Sequence, residues 1–148
     1  MTAPGFTYRF RVRYGECDAQ QIVFNARWAD YVDIAATEYT RALFGSVDPA
    51  VAGLDWRLRK QTLEWRAPAR FDWIVLARVS TVAVGTTSFT LATVFTRDGD
   101  PAPLVTAETV YVVVDPVAGS KQPVPDRHRA ALVAGASAVV DCAGDRPR

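Results

Sequence analysis

Residues 26–44 read Ala26-Arg-Trp-Ala-Asp-Tyr-Val-Asp-Ile-Ala-Ala-Thr-Glu-Tyr-Thr-Arg-Ala-Leu-Phe44, and this stretch decides the fold. Trp28, Tyr31, Val32, Ala35, Ala36, Tyr39 and Leu43 recur at steps of three and four, while Arg27, Asp30, Asp33, Thr37 and Arg41 fall on the other side. That period describes an amphipathic helix with a wide buried face. Asn25 is placed as its N-cap and Gly45 as its left-handed terminator.

On both sides of the helix the period changes to two. Upstream, Tyr8, Phe10, Val12 and Tyr14 alternate with Arg9, Arg11 and Arg13, which reads as a half-buried strand with a solvated arginine row. Downstream, Leu54 to Arg66 alternates but flips phase near Lys60 to Thr62, a sign of a bulge. Trp73 to Val84 and Ser88 to Arg97 are two further strands joined at Gly85-Thr86-Thr87. Asp98-Gly99 signals a hairpin into a strand from Leu104 to Val114. Pro116, Pro123 and Pro125 end the sheet, Arg127 to Ala134 forms a short helix, and the tail from 140 to 148 is expected to be disordered. The reading is α+β: about five antiparallel strands against one long helix, a single domain spanning 1–148 with its core at about 8–133. One helix cannot cover both faces of such a sheet. Strands as apolar as Trp73 to Val84 and Val110 to Val114 therefore predict self-association.

Composition removes whole classes of chemistry. The 148 residues carry 17 Lys+Arg against 16 Asp+Glu, a net charge of +1, which argues against nucleic acid as a partner. Cys17 and Cys142 are too few for a four-cysteine zinc site or a disulfide framework, and His128 is the one histidine. No metal and no cofactor is expected. No segment reaches the roughly 18 apolar residues of a membrane span, and the start lacks the pattern of a signal peptide, so a cytoplasmic location without a membrane partner is expected.

Chemistry is sought in the connection Gly15-Glu16-Cys17-Asp18-Ala19-Gln20-Gln21. It carries two carboxylates and leads into a helix N-terminus, whose free N–H groups suit an anion or a developing oxyanion. Local pattern alone favours Asp18 as a turn residue and Glu16 as a solvated one. A Cys17–His128 nucleophile pair is the minor alternative, with Cys17 a small buried hydrophobe and His128 a surface residue in the favoured reading.

Residues Arg11 to Tyr39 resemble the signature of the 4-hydroxybenzoyl-CoA thioesterase family of hotdog-fold acyl-CoA thioesterases. The shared elements are a strand ending in an aromatic, an acidic-x-Asp-Ala step, Ile-Val and a long helix. Leu63 to Asp72, Val84 to Phe89 and Pro123-Val-Pro125 resemble later steps of the family in the same order. The resemblance implies a curved antiparallel sheet wrapped around the helix, self-association as a homodimer or homotetramer, and hydrolysis of an acyl-CoA at the dimer interface. It places Asp18 as nucleophile or general base, and the Asn25 N–H as the donor facing the thioester oxygen. Gln21, Thr87, Ser88 and Trp28 would contact substrate. The chain departs from the family pattern at Asn25, often His, at Gln21, usually Gly, and in its uncharged turn at Gly85-Thr86-Thr87. Arg57, Arg59, Lys60, Arg66 and Arg70 are alternative cations for the CoA phosphates. An acyl group on a carrier protein and a non-catalytic acyl-CoA-binding dimer are the competing functions.

Overall fold

A computed structural model describes residues 5–144. The expected helix is α1, Arg27–Phe44. It ends as its sequence dictates: Gly45 takes φ +78° and returns its N–H to the Arg41 carbonyl at 2.8 Å. Its start differs from expectation. Ala26, with no side-chain acceptor, occupies the N-cap, and Asn25 stands one residue earlier with an exposed side chain.

The strands are β1 (Phe6–Arg11), β2 (Asp55–Trp65), β3 (Ile74–Val84), β4 (Ser88–Arg97), β5 (Pro103–Val114) and β6 (Val139–Asp141). They form one sheet in the order β2-β5-β4-β3-β1-β6, antiparallel throughout except for the parallel β1–β6 pair. A four-residue turn of helix, α2 (Pro49–Ala52), follows α1, and α3 (Asp126–Ala134) follows the sheet's main body. The register of β2 on β5 shifts between Leu58 and Lys60, the bulge that the phase flip predicts. Gly99 supplies φ +85° in the β4–β5 hairpin.

The core lies where α1 meets the inward face of the sheet. Val75, Ala77 and Val79 of β3, Phe89, Leu91, Thr93 and Phe95 of β4, and Val105, Ala107, Thr109, Tyr111 and Val113 of β5 are buried at every second position. Trp28, Tyr31, Val32, Ala35, Ala36 and Tyr39 of α1 close over them. Phe95 is the centre of this packing, with its ring 5.1 Å from Trp28 and 6.4 Å from Phe10. Each fully buried ring contributes on the order of 1.5–3 kcal/mol relative to exposure. This is the hotdog arrangement, with α1 as the filling and the sheet as the wrap.

Four expectations are corrected. Residues 140–141 are not loose: with Val139 they form β6, so the sheet has six strands, and only 145–148 of the expected disordered tail lie outside the described residues. The arginine row of β1 is not simply solvated, because Arg9 bonds Asp141 and Asp98 while Arg11 bonds Asp72. His128 is buried, its Nε2 2.7 Å from the Ala52 carbonyl and its ring against Phe44. Tyr111 to Val114 are buried within the chain itself, where residues 121–124 fold back and the Gln122 N–H donates to the Val113 carbonyl. Among the described sheet residues, the uncovered large apolar side chains are instead Leu58 and Trp65 on β2, Val82 on β3, Val94 on β4 and Val139 on β6.

Candidate active site

Between β1 and α1 the chain makes a single turn of 3-10 helix, Tyr14–Glu16, and then a tight hairpin. Cys17 and Val23 face each other as an antiparallel bridge, and Asp18 and Ile22 close it with the Asp18 N–H on the Ile22 carbonyl at 2.9 Å. The Gln21 N–H returns to the Asp18 carbonyl at 2.9 Å, and Gln21 takes φ +61°. The position that departs from the resembled family's Gly thus has the left-handed backbone that Gly adopts most readily. Asp18 anchors the turn with one carboxylate oxygen, which accepts the Gln20 N–H at 2.8 Å. Its other oxygen takes no hydrogen bond among the described residues.

Asp18 lines a groove of about 610 Å³ together with Tyr14, Gly15, Cys17, Ala19, Gln21 and Phe71. Two of these are rings that sequence reasoning missed. Tyr14, expected on the buried side of β1, is 83% exposed, and Phe71 is 49% exposed. They meet edge to face at 6.0 Å, forming a right-angled aromatic corner beside the carboxylate. Phe71 is held there by Asp72, whose φ of +67° turns the chain and whose side chain ties to Arg11 at 3.1 Å. The clue in sequence was the aromatic before Asp72, but nothing local pairs residue 14 with residue 71.

Asn25 lies in a neighbouring cleft of about 250 Å³ with Ile22, Val23, Trp28, Trp65, Arg66, Ala67 and Pro68. Its backbone N–H donates to no protein acceptor among the described residues and stands two residues before α1, where the helix dipole favours negative charge. Trp28 contributes a wall of this cleft although it is almost wholly buried. Asp18 and Asn25 therefore sit on adjoining segments but open into different cavities of one chain. Thr87 and Ser88 are elsewhere, at the β3–β4 turn, and line neither opening. That turn closes with the Gly85 N–H on the Ser88 carbonyl, and it has a cation the sequence did not reveal: Arg129 of α3 donates to the Gly85 carbonyl at 2.8 Å. Among the five alternative cations, Arg66 is the one that lines the Asn25 cleft.

Cys17 is poorly suited to act as nucleophile. Burial first, and then the charges of Glu16 and Asp18, push its thiol up from the ordinary value, so the reactive thiolate is disfavoured. His128 is packed behind α2, sealed against Ala52, and does not line the Asp18 groove. Among the described residues no cluster of three or more His, Cys, Asp or Glu could hold a metal ion. No helix there is long and apolar enough to cross a membrane.

An α1-filled sheet, a carboxylate with a free oxygen and an unpaired N–H at a helix start are a combination suited to acyl transfer. Residues 20–103, more than half of the chain, match the Thioesterase superfamily, and the chain belongs to it. The matched segment contains Gln21, Asn25, Trp28, Thr87 and Ser88 and starts two residues after Asp18. Among solved structures, a gentisyl-coenzyme A thioesterase is 25% identical, with 86% of this chain and 98% of that one covered and a TM-score of 0.73. A 1,4-dihydroxy-2-naphthoyl-CoA thioesterase from Synechocystis shares the fold at 17% identity, covering 86% and 95% with a TM-score of 0.77. A Staphylococcus aureus protein described in complex with CoA shares it at 10% identity, covering 90% and 85% with a TM-score of 0.82. No curated protein matches the chain in sequence.

Proposed function

We propose that the protein is an acyl-CoA thioesterase of the 4-hydroxybenzoyl-CoA thioesterase type, releasing a free carboxylic acid and CoA. The observation that carries this reading is the unpaired Asn25 N–H at the start of α1, one short hairpin away from an Asp18 carboxylate with a free oxygen. In the proposed reaction the thioester carbonyl lies against the Asn25 N–H, which stabilises the oxyanion as it forms; one such donor is worth about 100- to 1,000-fold in rate. Asp18 either attacks the carbonyl, giving an anhydride that water then opens, or takes a proton from an attacking water. In both cases hydroxide is added to the acyl carbon, the C–S bond breaks, and the proton ends on the departing thiolate. A thiolate leaves readily, so no histidine acid is required.

Gln21 would border the acyl group at the groove, Trp28 would back the cleft, and Thr87 and Ser88 would meet the CoA portion at the β3–β4 turn. Arg129 at that turn restores a cation where the local sequence has none, which favours CoA over a carrier-protein substrate. The proposed working unit is a cytoplasmic homodimer or homotetramer. It is supported by the unpaired edge of β2 with its exposed Leu58 and Trp65 and by the separation of Asp18 and Asn25 into two openings of one chain.

The test is release of free thiol from a panel of aliphatic and aromatic acyl-CoAs by wild type, Asp18→Asn and Asp18→Ala. Turnover by wild type and its loss in both variants is the expected result. An inert wild type that still binds the panel in a thermal-shift assay would instead identify a non-catalytic acyl-CoA-binding dimer. Faster hydrolysis of the same acyl group on a carrier protein would move the substrate to that class.

A further inference from the structure

We infer that Glu16, the second carboxylate of the connection, is a positioning residue that holds Asp18 and the Asn25 N–H in register through its reach as a hydrogen-bond acceptor and takes no part in proton transfer; this rests on the thioesterase reading above. Sequence pattern suggests a solvated side chain, yet the Glu16 side chain is only 14% exposed. It turns away from the groove that Asp18 lines and into a separate cavity of about 350 Å³ between β1 and α1, walled by Tyr8, Arg11, Arg13 and Tyr31.

Three segments converge on this one residue. Its Oε1 accepts the Arg13 N–H at 2.8 Å and its own N–H donates to the Arg13 carbonyl at 3.0 Å, a reciprocal pair that fixes the exit from β1. Its carbonyl accepts the Phe24 N–H at 3.0 Å, and Phe24 immediately precedes Asn25. From its other side the chain enters the Cys17–Val23 bridge that presents Asp18. The approach to the helix start and the departure toward the carboxylate are therefore both indexed to Glu16. Tyr31 of α1 closes the cavity from the helix side. Its hydroxyl is enclosed and faces the Glu16 carboxylate outside standard hydrogen-bond geometry. Burial, and next the Glu16 charge, push that phenol up so that it stays protonated.

Charge and reach can be separated by substitution. Gln keeps the acceptor at full length without the charge, and a Glu or Gln three residues after a cap closes such a reciprocal pair. Asp keeps the charge but falls one methylene short. Wild type, Glu16→Gln, Glu16→Asp and Glu16→Ala are compared by amide hydrogen exchange of residues 18–24 and by kcat and KM on benzoyl-CoA and octanoyl-CoA. Glu16→Asp and Glu16→Ala should exchange these amides at least about tenfold faster. They should also lose about 100-fold in kcat, the scale of a misplacement near 1 Å, with KM within about threefold. Glu16→Gln should rescue both readouts. Wild-type exchange in Glu16→Asp overturns the inference, as does a Glu16→Gln enzyme as slow as Glu16→Ala, which would make the charge itself essential. Should wild type hydrolyse neither ester, the thioesterase reading fails on that result, and the exchange rates alone still decide the positioning role. Should Glu16→Ala not fold, the Gln–Asp comparison decides it.

Discussion

Arg9 Nη1 lies 2.9 Å from Asp141 Oδ1 and 3.0 Å from its Oδ2, joining β1 to β6 across 132 residues of sequence. The backbone supports the same junction, with the Cys142 N–H on the Arg9 carbonyl at 2.7 Å. Bonds from the Ala143 N–H and then from Arg9 hold the Asp141 carboxyl below its ordinary value of 3.8. A depressed carboxyl stabilises the folded state above the ordinary value and loses that contribution as pH falls through the native one. Protection of the residue 139–142 amides against hydrogen exchange should therefore fall away below pH 3.8 in wild type. In Asp141→Asn it should already be weakened at pH 7 and show less change with acid.

Gln21 holds a left-handed backbone at φ +61°, a conformation that costs a non-glycine residue about 1 kcal/mol or somewhat more. Gln21→Gly removes that strain but gives the unfolded chain more freedom. The expected net gain is up to about 1 kcal/mol, read as a higher urea midpoint with an unchanged slope. Gln21→Val, whose β-branch tolerates this region worst, should lose stability by at least as much.

His128 offers its Nε2–H to the Ala52 carbonyl at 2.7 Å, since a carbonyl can only accept, while its enclosed Nδ1 has no partner among the described residues. The ring therefore ties α3 to the end of α2 and fills the space beside Phe44. His128→Ala removes a buried ring and leaves the carbonyl with the weaker Arg127 contact at 3.2 Å. The expected cost is about 2–3 kcal/mol in urea unfolding, with thioester hydrolysis per folded molecule unchanged.

Tyr111 is pushed up from 10.0 to about 12, first by burial and next by the charge of Asp33. A raised acid contributes fully below the unfolded value and loses its contribution as pH rises toward the native one. Stability should decline between pH 10 and about 12, and this one group can account for up to about 2–3 kcal/mol of it. Urea unfolding at pH 9 and pH 11 measures the decline, and Tyr111→Phe should shrink the difference. Tyr8, also raised to about 12, adds to the same window, so Tyr8→Phe should shrink it further.

What the sequence made legible was whatever repeats along it. α1 shows itself through five turns of one period, the β2 bulge through a change of phase, and the β4–β5 hairpin through Asp98-Gly99. What it hid depends on partners far away in the chain. β6 has three residues and no pattern of its own; it exists because β1 offers a free edge. His128 looks like a surface residue because α3 has little amphipathic character and its burial comes from Phe44 and Ala52. Arg9 and Arg11 look solvated until Asp98, Asp141 and Asp72 arrive beside them. Within the candidate site, the acidic step and the helix start could be read together as a unit. That Glu16 faces inward, that Phe71 meets Tyr14 and that Arg129 reaches the β3–β4 turn could not, because each is a contact between elements.

The position of β1 inside the sheet imposes an order on assembly. It precedes both of its neighbours in the chain, so one of its edges must wait for residues 74–79 and the other for residues 139–141. Until both partners exist, an extended β1 would have open hydrogen-bonding edges, the kind of surface that recruits other chains. The arginines at positions 9 and 11 stand on that segment throughout. Before Asp72, Asp98 and Asp141 exist, these like charges discourage two nascent copies from zipping together. Once those carboxylates are in place the same side chains fasten the finished sheet. A guard against misassembly during growth thus becomes a clasp in the completed molecule.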